Sequence, residues 1–270
     1  MKVAIPKERA EDEHRVALVP DTAAKLIAAS LEVSVESGAG AGAYFPDGAY
    51  EKAGVTVVKT AEALLKEADA VLKVQAPAPS EIGLLKSGAV LISFLQPSTQ
   101  ADIVRALAKR GVTAFSLELL PRISRAQSMD ALSSQASAAG YKAVLLAAAR
   151  LGKFFPMMMT AAGTVAPTRV LVMGAGVAGL QAIATARRLG AVVSAYDVRP
   201  AVKEEVQSLG ATFIELALES QQGEGGYARE QSEEFLRKQR ELIGEHVAKS
   251  DVVITTAAVP GRAENVNTCR

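Results

Sequence analysis

Three glycines, Gly174, Gly176 and Gly179, follow directly on the apolar run RVLVM in the segment RVLVMGAGVAGLQAIATARRLGA. This pattern suits the holding of a phosphate without side chains. The first glycine allows a tight turn, the second lets the backbone approach a pyrophosphate, and the third brings helix and strand close together. Val177 and Ala178 open the helix, whose free N–H groups and partial positive charge face the anion. A second strand then ends at Asp197, about 20 residues further on, where an acid accepts both ribose hydroxyls of an adenosine and repels a 2′-phosphate. NAD is therefore favoured over NADP, although Arg199 works against this, since a nearby guanidinium can accommodate that phosphate.

Groups that manage protons are scarce. The chain has two histidines, His14 in the charged run EDEHR and His246 in a charged helical stretch, and both read as solvated or structural. A dehydrogenase acting on hydroxy or amino acids needs a group to move the proton that accompanies the hydride. Lys73, in AVLKVQAP, either holds a carboxylate or snorkels from a sheet edge, and Arg15 and Lys7 pose the same choice. Hydride transfer from one nicotinamide directly to another needs no proton relay, and a histidine-poor site fits it. A further polar cluster, Arg122, Arg125, Gln127 and Asp130, runs into a segment built almost wholly of Ser and Ala.

The elements that must position these residues alternate. Strands are expected at 2–5, 32–36, 55–58, 70–74, 90–94 and 113–117, with helices at 21–30, 61–67 and 100–110. Such alternation predicts α/β architecture with parallel sheets covered on both faces. A long helix at about 130–150 connects two lobes, an N-terminal α/β lobe at 1–150 and a nucleotide-binding lobe at 165–270, across an irregular stretch, FFPMMMTAAGTVAPTR.

Composition limits the alternatives. A chain of 270 residues exceeds the usual size of one core. Its formal net charge of +1 lacks the basic excess of a nucleic-acid binder. The longest uncharged stretch, 170–186, contains three glycines and falls short of the ~20 apolar residues of a membrane span. The N-terminus lacks a secretory core, so a cytoplasmic location is expected. A single cysteine, Cys269, builds neither an internal disulfide nor a cysteine-based metal cluster, and no metal site is expected.

Longer segments carry a resemblance. RISRAQSMDALSSQASAAGYKAV, FFPMMMTAAGTVAPTRVLVMGAGVAGLQAIATARRLGA and the GGYA stretch resemble the NAD(H)-binding domain I, in the alpha subunit, of the proton-translocating nicotinamide nucleotide transhydrogenase family. The opening KVAIPKERAEDEHRVALVP resembles both that domain and its relatives, the alanine dehydrogenases; the likeness covers about residues 1–262. It implies two Rossmann-like lobes with NAD(H) against the second. The loop at 122–130 would bend over the nicotinamide and meet a separate domain III carrying NADP(H), with a membrane domain II coupling hydride transfer to proton movement. Gln127, Arg122 and Asp130 would form the catalytic set: Arg122 contacting the cofactor, Gln127 facing the partner's nicotinamide, and Asp130 with Ser133 holding the NAD nicotinamide region. Tyr227, in GGYA, would fold over bound nucleotide. The resemblance also implies a homodimer, held peripherally at the inner membrane through its partners without inserting into it.

Gln96, in SFLQPS, stands where alanine dehydrogenases carry a catalytic histidine, and a glutamine cannot take up that proton. Arg15 and Lys73 match those enzymes' carboxylate-binding residues and would form a remnant pocket. After SDVVITTAAVPGR the chain reads AENVNTCR, unlike the roughly hundred-residue continuation found in the family, so the second lobe is expected to be incomplete. That leaves two other readings, an alanine dehydrogenase and a catalytically silent nucleotide-binding module.

Overall fold

The computed structural model describes residues 1–215 and 233–256, with backbone alone at 233–236. It divides into two compact units, Met1–Ala131 and Leu132–Arg270.

The first unit alternates β1 (Lys2–Ile5), α1 (Pro20–Ala28), β2 (Glu32–Glu36), α2 (Asp47–Lys52), β3 (Thr56–Val58), α3 (Ala61–Glu67), β4 (Ala70–Leu72), α4 (Pro79–Leu84), β5 (Val90–Ser93), α5 (Ala101–Arg110) and β6 (Thr113–Ser116). Its strands form one parallel sheet in the order β3-β2-β1-β4-β5-β6. Ile5, Val35, Val71 and Leu91 are fully buried, as continuous apolar strands covered by helices on both faces must be. Local signals set the helix limits: Thr60 Oγ1 accepts the Ala63 N–H at 3.3 Å to start α3, and Gly111, at φ +74°, ends α5. The expected strands are all present. Helices α2 and α4 escape the sequence reading because six residues are too few to display an amphipathic period.

The second unit contains α6 (Ala131–Arg150), β7 (Met158–Thr160), β8 (Gly163–Val165), β9 (Arg169–Met173), α7 (Val177–Arg188), β10 (Val192–Tyr196), α8 (Lys203–Ser208), β11 (Thr212–Phe213), α9 (Glu233–Ala248) and β12 (Val252–Thr255). A parallel sheet runs β11-β10-β9-β12. The strand order reverses between β9 and β12, and the carboxyl ends at such a switch point are where open α/β sheets hold ligands.

Two expectations change. The helix read as part of the first lobe packs with the second unit, because its Val144 is fully buried in one apolar cluster with Ala182, Ile183 and Ala186 of α7. The stretch read as irregular contains an antiparallel hairpin, with Met158 opposite Val165 and Thr160 opposite Gly163. Gly163, at φ +136°, permits its turn, and all six strand residues are exposed. Among the described residues, no helix is long and apolar enough to cross a membrane.

Candidate functional site

The glycine loop joins the carboxyl end of β9 to α7. Gly174 adopts φ +94° and donates its N–H to the Tyr196 carbonyl at 2.8 Å, so the turn is tied to the end of β10. A side chain at Gly179 would lie 1.8 Å from the Gly174 carbonyl oxygen and 3.0 Å from Thr256 Oγ1, so only glycine lets α7 close onto the loop. Thr256, directly after β12, donates its hydroxyl to the Gly174 carbonyl at 2.9 Å and holds the loop from the other side of the switch point. Gly176 differs, since a Cβ there meets nothing within 4 Å. It leaves open space over a helix start that no side chain caps, and the N–H groups of Val177, Ala178 and Gly179 lack partners within the helix. A bare helix start with clear space before it fits an anionic pyrophosphate.

Asp197 completes this end of the sheet. Its Oδ2 accepts the Ala175 N–H at 2.7 Å, which links the acid to the glycine loop, and Oδ1 accepts the Arg199 N–H at 2.9 Å. The Arg199 guanidinium binds both oxygens, Nε to Oδ1 and Nη2 to Oδ2, each at 2.9 Å. Burial pushes the Asp197 carboxyl up, but these hydrogen bonds more than offset it and hold the group below the usual carboxylate range. Neighbouring Tyr196 is buried, which raises its hydroxyl's pKa, and that hydroxyl accepts a hydrogen bond from Gln239 Nε2 of α9 at 3.1 Å.

One contributor to the loop is absent from the sequence reading. Gly140 of α6 faces the first turn of α7 so closely that a Cβ would lie 2.1 Å from the Ala178 carbonyl oxygen. Ser137 Oγ meets Gln181 Oε1 at 3.3 Å one turn away. Small residues of α6 thus set the position of the α7 start. The only available signal was a glycine inside an otherwise strong helix.

In the first unit, Arg122 and Gln127 are exposed and Asp130 half-buried. A 3-10 turn at Ser124–Met129 carries Gln127, anchored by buried Ala126, and the Asp130 N–H returns to the Gln127 carbonyl at 3.2 Å. Ser133 lies in the first turn of α6 and is half-buried. Tyr227 falls outside the described residues.

Arg15 and Lys73 are engaged by carboxylates of their own chain. Arg15 pairs in bidentate fashion with Glu13, Nε to Oε1 at 2.7 Å and Nη2 to Oε2 at 2.6 Å. Gln75 Nε2 donates to the same Glu13 at 2.7 Å. The Arg15 hydrogen bonds dominate over burial and hold the Glu13 carboxyl down at about 2. Lys73 is buried between Glu8, 3.3 Å away, and Glu81, 3.1 Å away. Glu8 also accepts the Val74 N–H at 2.6 Å and Glu81 the Ala78 N–H at 2.8 Å. Lys73 follows β4 and Glu8 lies just beyond β1, at the switch point of the first sheet. Both cations are thus paired with carboxylates of the first unit. Gln96, beyond β5, sits at φ +48° with its N–H on Glu118 Oε1.

The chain is similar to known proteins along nearly its whole length. The model of the alanine dehydrogenase/PNT N-terminal domain matches residues 4–139 and that of the C-terminal domain residues 143–266. The chain is 54% identical over 270 residues to an NAD(P) transhydrogenase subunit alpha polypeptide of Rhodospirillum rubrum, covering 97% of this chain and 70% of that one. Against NAD(P) transhydrogenase subunit alpha of Cereibacter sphaeroides it is 47% identical, over 97% of this chain and 51% of that protein's length. A solved transhydrogenase structure from Sinorhizobium meliloti superimposes with a TM-score of 0.86 at 50% identity, covering 97% of this chain and 71% of that one.

Proposed function

The chain belongs to the alanine dehydrogenase/PNT family, and we propose that it is the NAD(H)-binding component of a proton-translocating transhydrogenase. The observation that carries this reading is the coupling of the uncapped α7 start to Asp197 through the Ala175 N–H, a phosphate cradle and a ribose acceptor in one unit. Its close likeness to transhydrogenase alpha subunits supports the same reading.

In this proposal Gly174, Gly176, Val177, Ala178 and Gly179 bind the pyrophosphate through backbone N–H groups, and Asp197 takes the adenosine ribose. Bound NADH supplies a hydride. Arg122, Asp130 and Ser133 hold the nicotinamide end, Gln127 faces the NADP(H) carried by a partner domain III, and Tyr227 folds over the nucleotide. No side chain need move a proton, so catalysis rests on orientation of the two nucleotides and exclusion of water. The partners are domain III and a membrane domain II, which couples the transfer to proton translocation. The working form is a homodimer at the cytoplasmic side of the inner membrane.

The test is a fluorescence titration with NADH and with NADPH. Selective NADH binding is expected; equal affinities, or none, would contradict the reading. Turnover of pyruvate and ammonia with NADH would instead support an alanine dehydrogenase. Against that alternative stand Gln96, which cannot act as the acid or base, and Arg15, already bound by Glu13.

A further inference from the structure

The carboxylate of Asp197 is fully subscribed by its own chain. Two oxygens offer about four acceptor positions. Oδ1 receives the backbone N–H and the Nε–H of Arg199, and Oδ2 receives the Ala175 N–H and the Nη2–H of Arg199. A ribose diol that donates to this acid finds no vacant position.

The four bonds differ in kind. Two come from backbone N–H groups, held by the glycine loop and by the chain after β10. The other two come from one side chain, and they occupy one position on each oxygen. Departure of the guanidinium alone would vacate the pair of positions that two adjacent hydroxyls require. Arg199 is free enough to leave: its side chain retains 34% exposure, against 6% for Asp197. The guanidinium already faces solvent as it leaves, and hydroxyl donors replace it on a carboxylate that keeps both backbone bonds. Glu205 on α8 also attracts the Arg199 charge.

We propose that Arg199 is an internal competitor for Asp197, displaced by the ribose hydroxyls of the incoming dinucleotide, and that it thereby tunes both affinity and nucleotide selectivity. The proposal rests on the NAD(H)-binding reading given above. While paired, Arg199 keeps a buried carboxylate satisfied before nucleotide arrives. Once displaced, its positive charge stands near the ribose 2′-position, where it softens the repulsion between Asp197 and a 2′-phosphate. Loss of the guanidinium therefore has two effects of defined sign: NADH binds more tightly and NADPH is rejected more strongly.

The experiment compares the full chain with Arg199→Met and Arg199→Lys by NADH and NADPH fluorescence titration, with melting of each protein in the absence of nucleotide. Arg199→Met should bind NADH about 3- to 10-fold more tightly, and its preference for NADH over NADPH should widen. Its ligand-free melting temperature should fall, because a buried carboxylate loses partners. A merely structural arginine would move stability and affinity downwards together, whereas displacement moves them in opposite directions. Arg199→Lys, with one point donor in place of a fork, should lie between the two, and it carries the test if the methionine variant fails to fold. Unchanged or weaker NADH binding in the folded variants would overturn the proposal. Failure of the unmodified chain to bind NADH would overturn the function proposed above as well, and the two failures are distinguishable by that control.

Discussion

Gly140 and Ala178 are so close that no side chain fits between them: a Cβ on Gly140 would lie 2.1 Å from the Ala178 carbonyl oxygen and 2.9 Å from its carbonyl carbon. Ala178 belongs to the first turn of α7, whose N–H groups are the donors proposed to hold the pyrophosphate. A helix remote in sequence from the glycine loop therefore fixes the loop's most important feature, the direction of its donors.

Replacing Gly140 by Ala should push α7 away from α6. Overpacking of this kind costs about 1–3 kcal/mol of stability, and misdirected donors should weaken NADH binding roughly tenfold or more. Thermal melting and NADH titration of the variant measure both; unchanged affinity would show that the first turn tolerates the shift.

Asp197→Ala removes the carboxylate that ties down the glycine loop and, in the proposed function, accepts the ribose hydroxyls. NADH affinity should fall roughly tenfold or more, since hydrogen bonds to a charged group are lost, and discrimination against NADPH should relax with the repulsive charge. Titration with both nucleotides gives the ratio, and an unaltered preference would remove Asp197 from the specificity site.

Glu13 and Arg15 make a prediction about acid. The folded-state carboxyl is held at about 2, below its ordinary value of 4.5, so ionised Glu13 favours the folded state. That contribution is present in full above about pH 5 and is lost as the pH falls through the folded value. Urea unfolding of the unmodified chain and of Glu13→Gln should differ by a constant amount between pH 5 and 7 and converge progressively below it. A difference independent of pH down to 3 would show that the carboxylate is not held by Arg15.

Gln127 is exposed on its 3-10 turn, remote in sequence from the phosphate loop. Gln127→Asn should leave NADH affinity nearly unchanged while slowing transfer to the nucleotide on a partner domain. Collapse of NADH binding would assign Gln127 to this chain's own cofactor instead.

The glycine turn between β9 and α7 was legible because each glycine answers to local geometry: a turn at 174, open space at 176, a helix contact at 179. The parallel sheets were legible through buried β-branched runs such as VLIS and RVLVM. Gly140 was not, since its reason lies in the backbone of another helix. Asp197 was read correctly as a residue at a strand end, but its saturation by Arg199 depends on how the chain turns after β10. The resemblance implied a remnant carboxylate pocket at Arg15 and Lys73, whereas the pairing of Arg15 with Glu13, and of Lys73 with Glu8 and Glu81, depends on the fold and was not legible.

In the proposed function hydride passes directly from NADH on this chain to NADP⁺ on a partner, without a proton relay. It is tested most directly by mixing the chain with an NADP-binding domain III, NADP⁺ and NADH deuterated at the transferring position of C4, then locating the label by mass spectrometry. Direct transfer predicts NADPH that carries the deuterium even though the reaction runs in ordinary water. NADPH carrying solvent hydrogen, or NADH binding with no NADPH formed, would contradict it, the latter outcome marking the chain as a nucleotide-binding module without transfer activity.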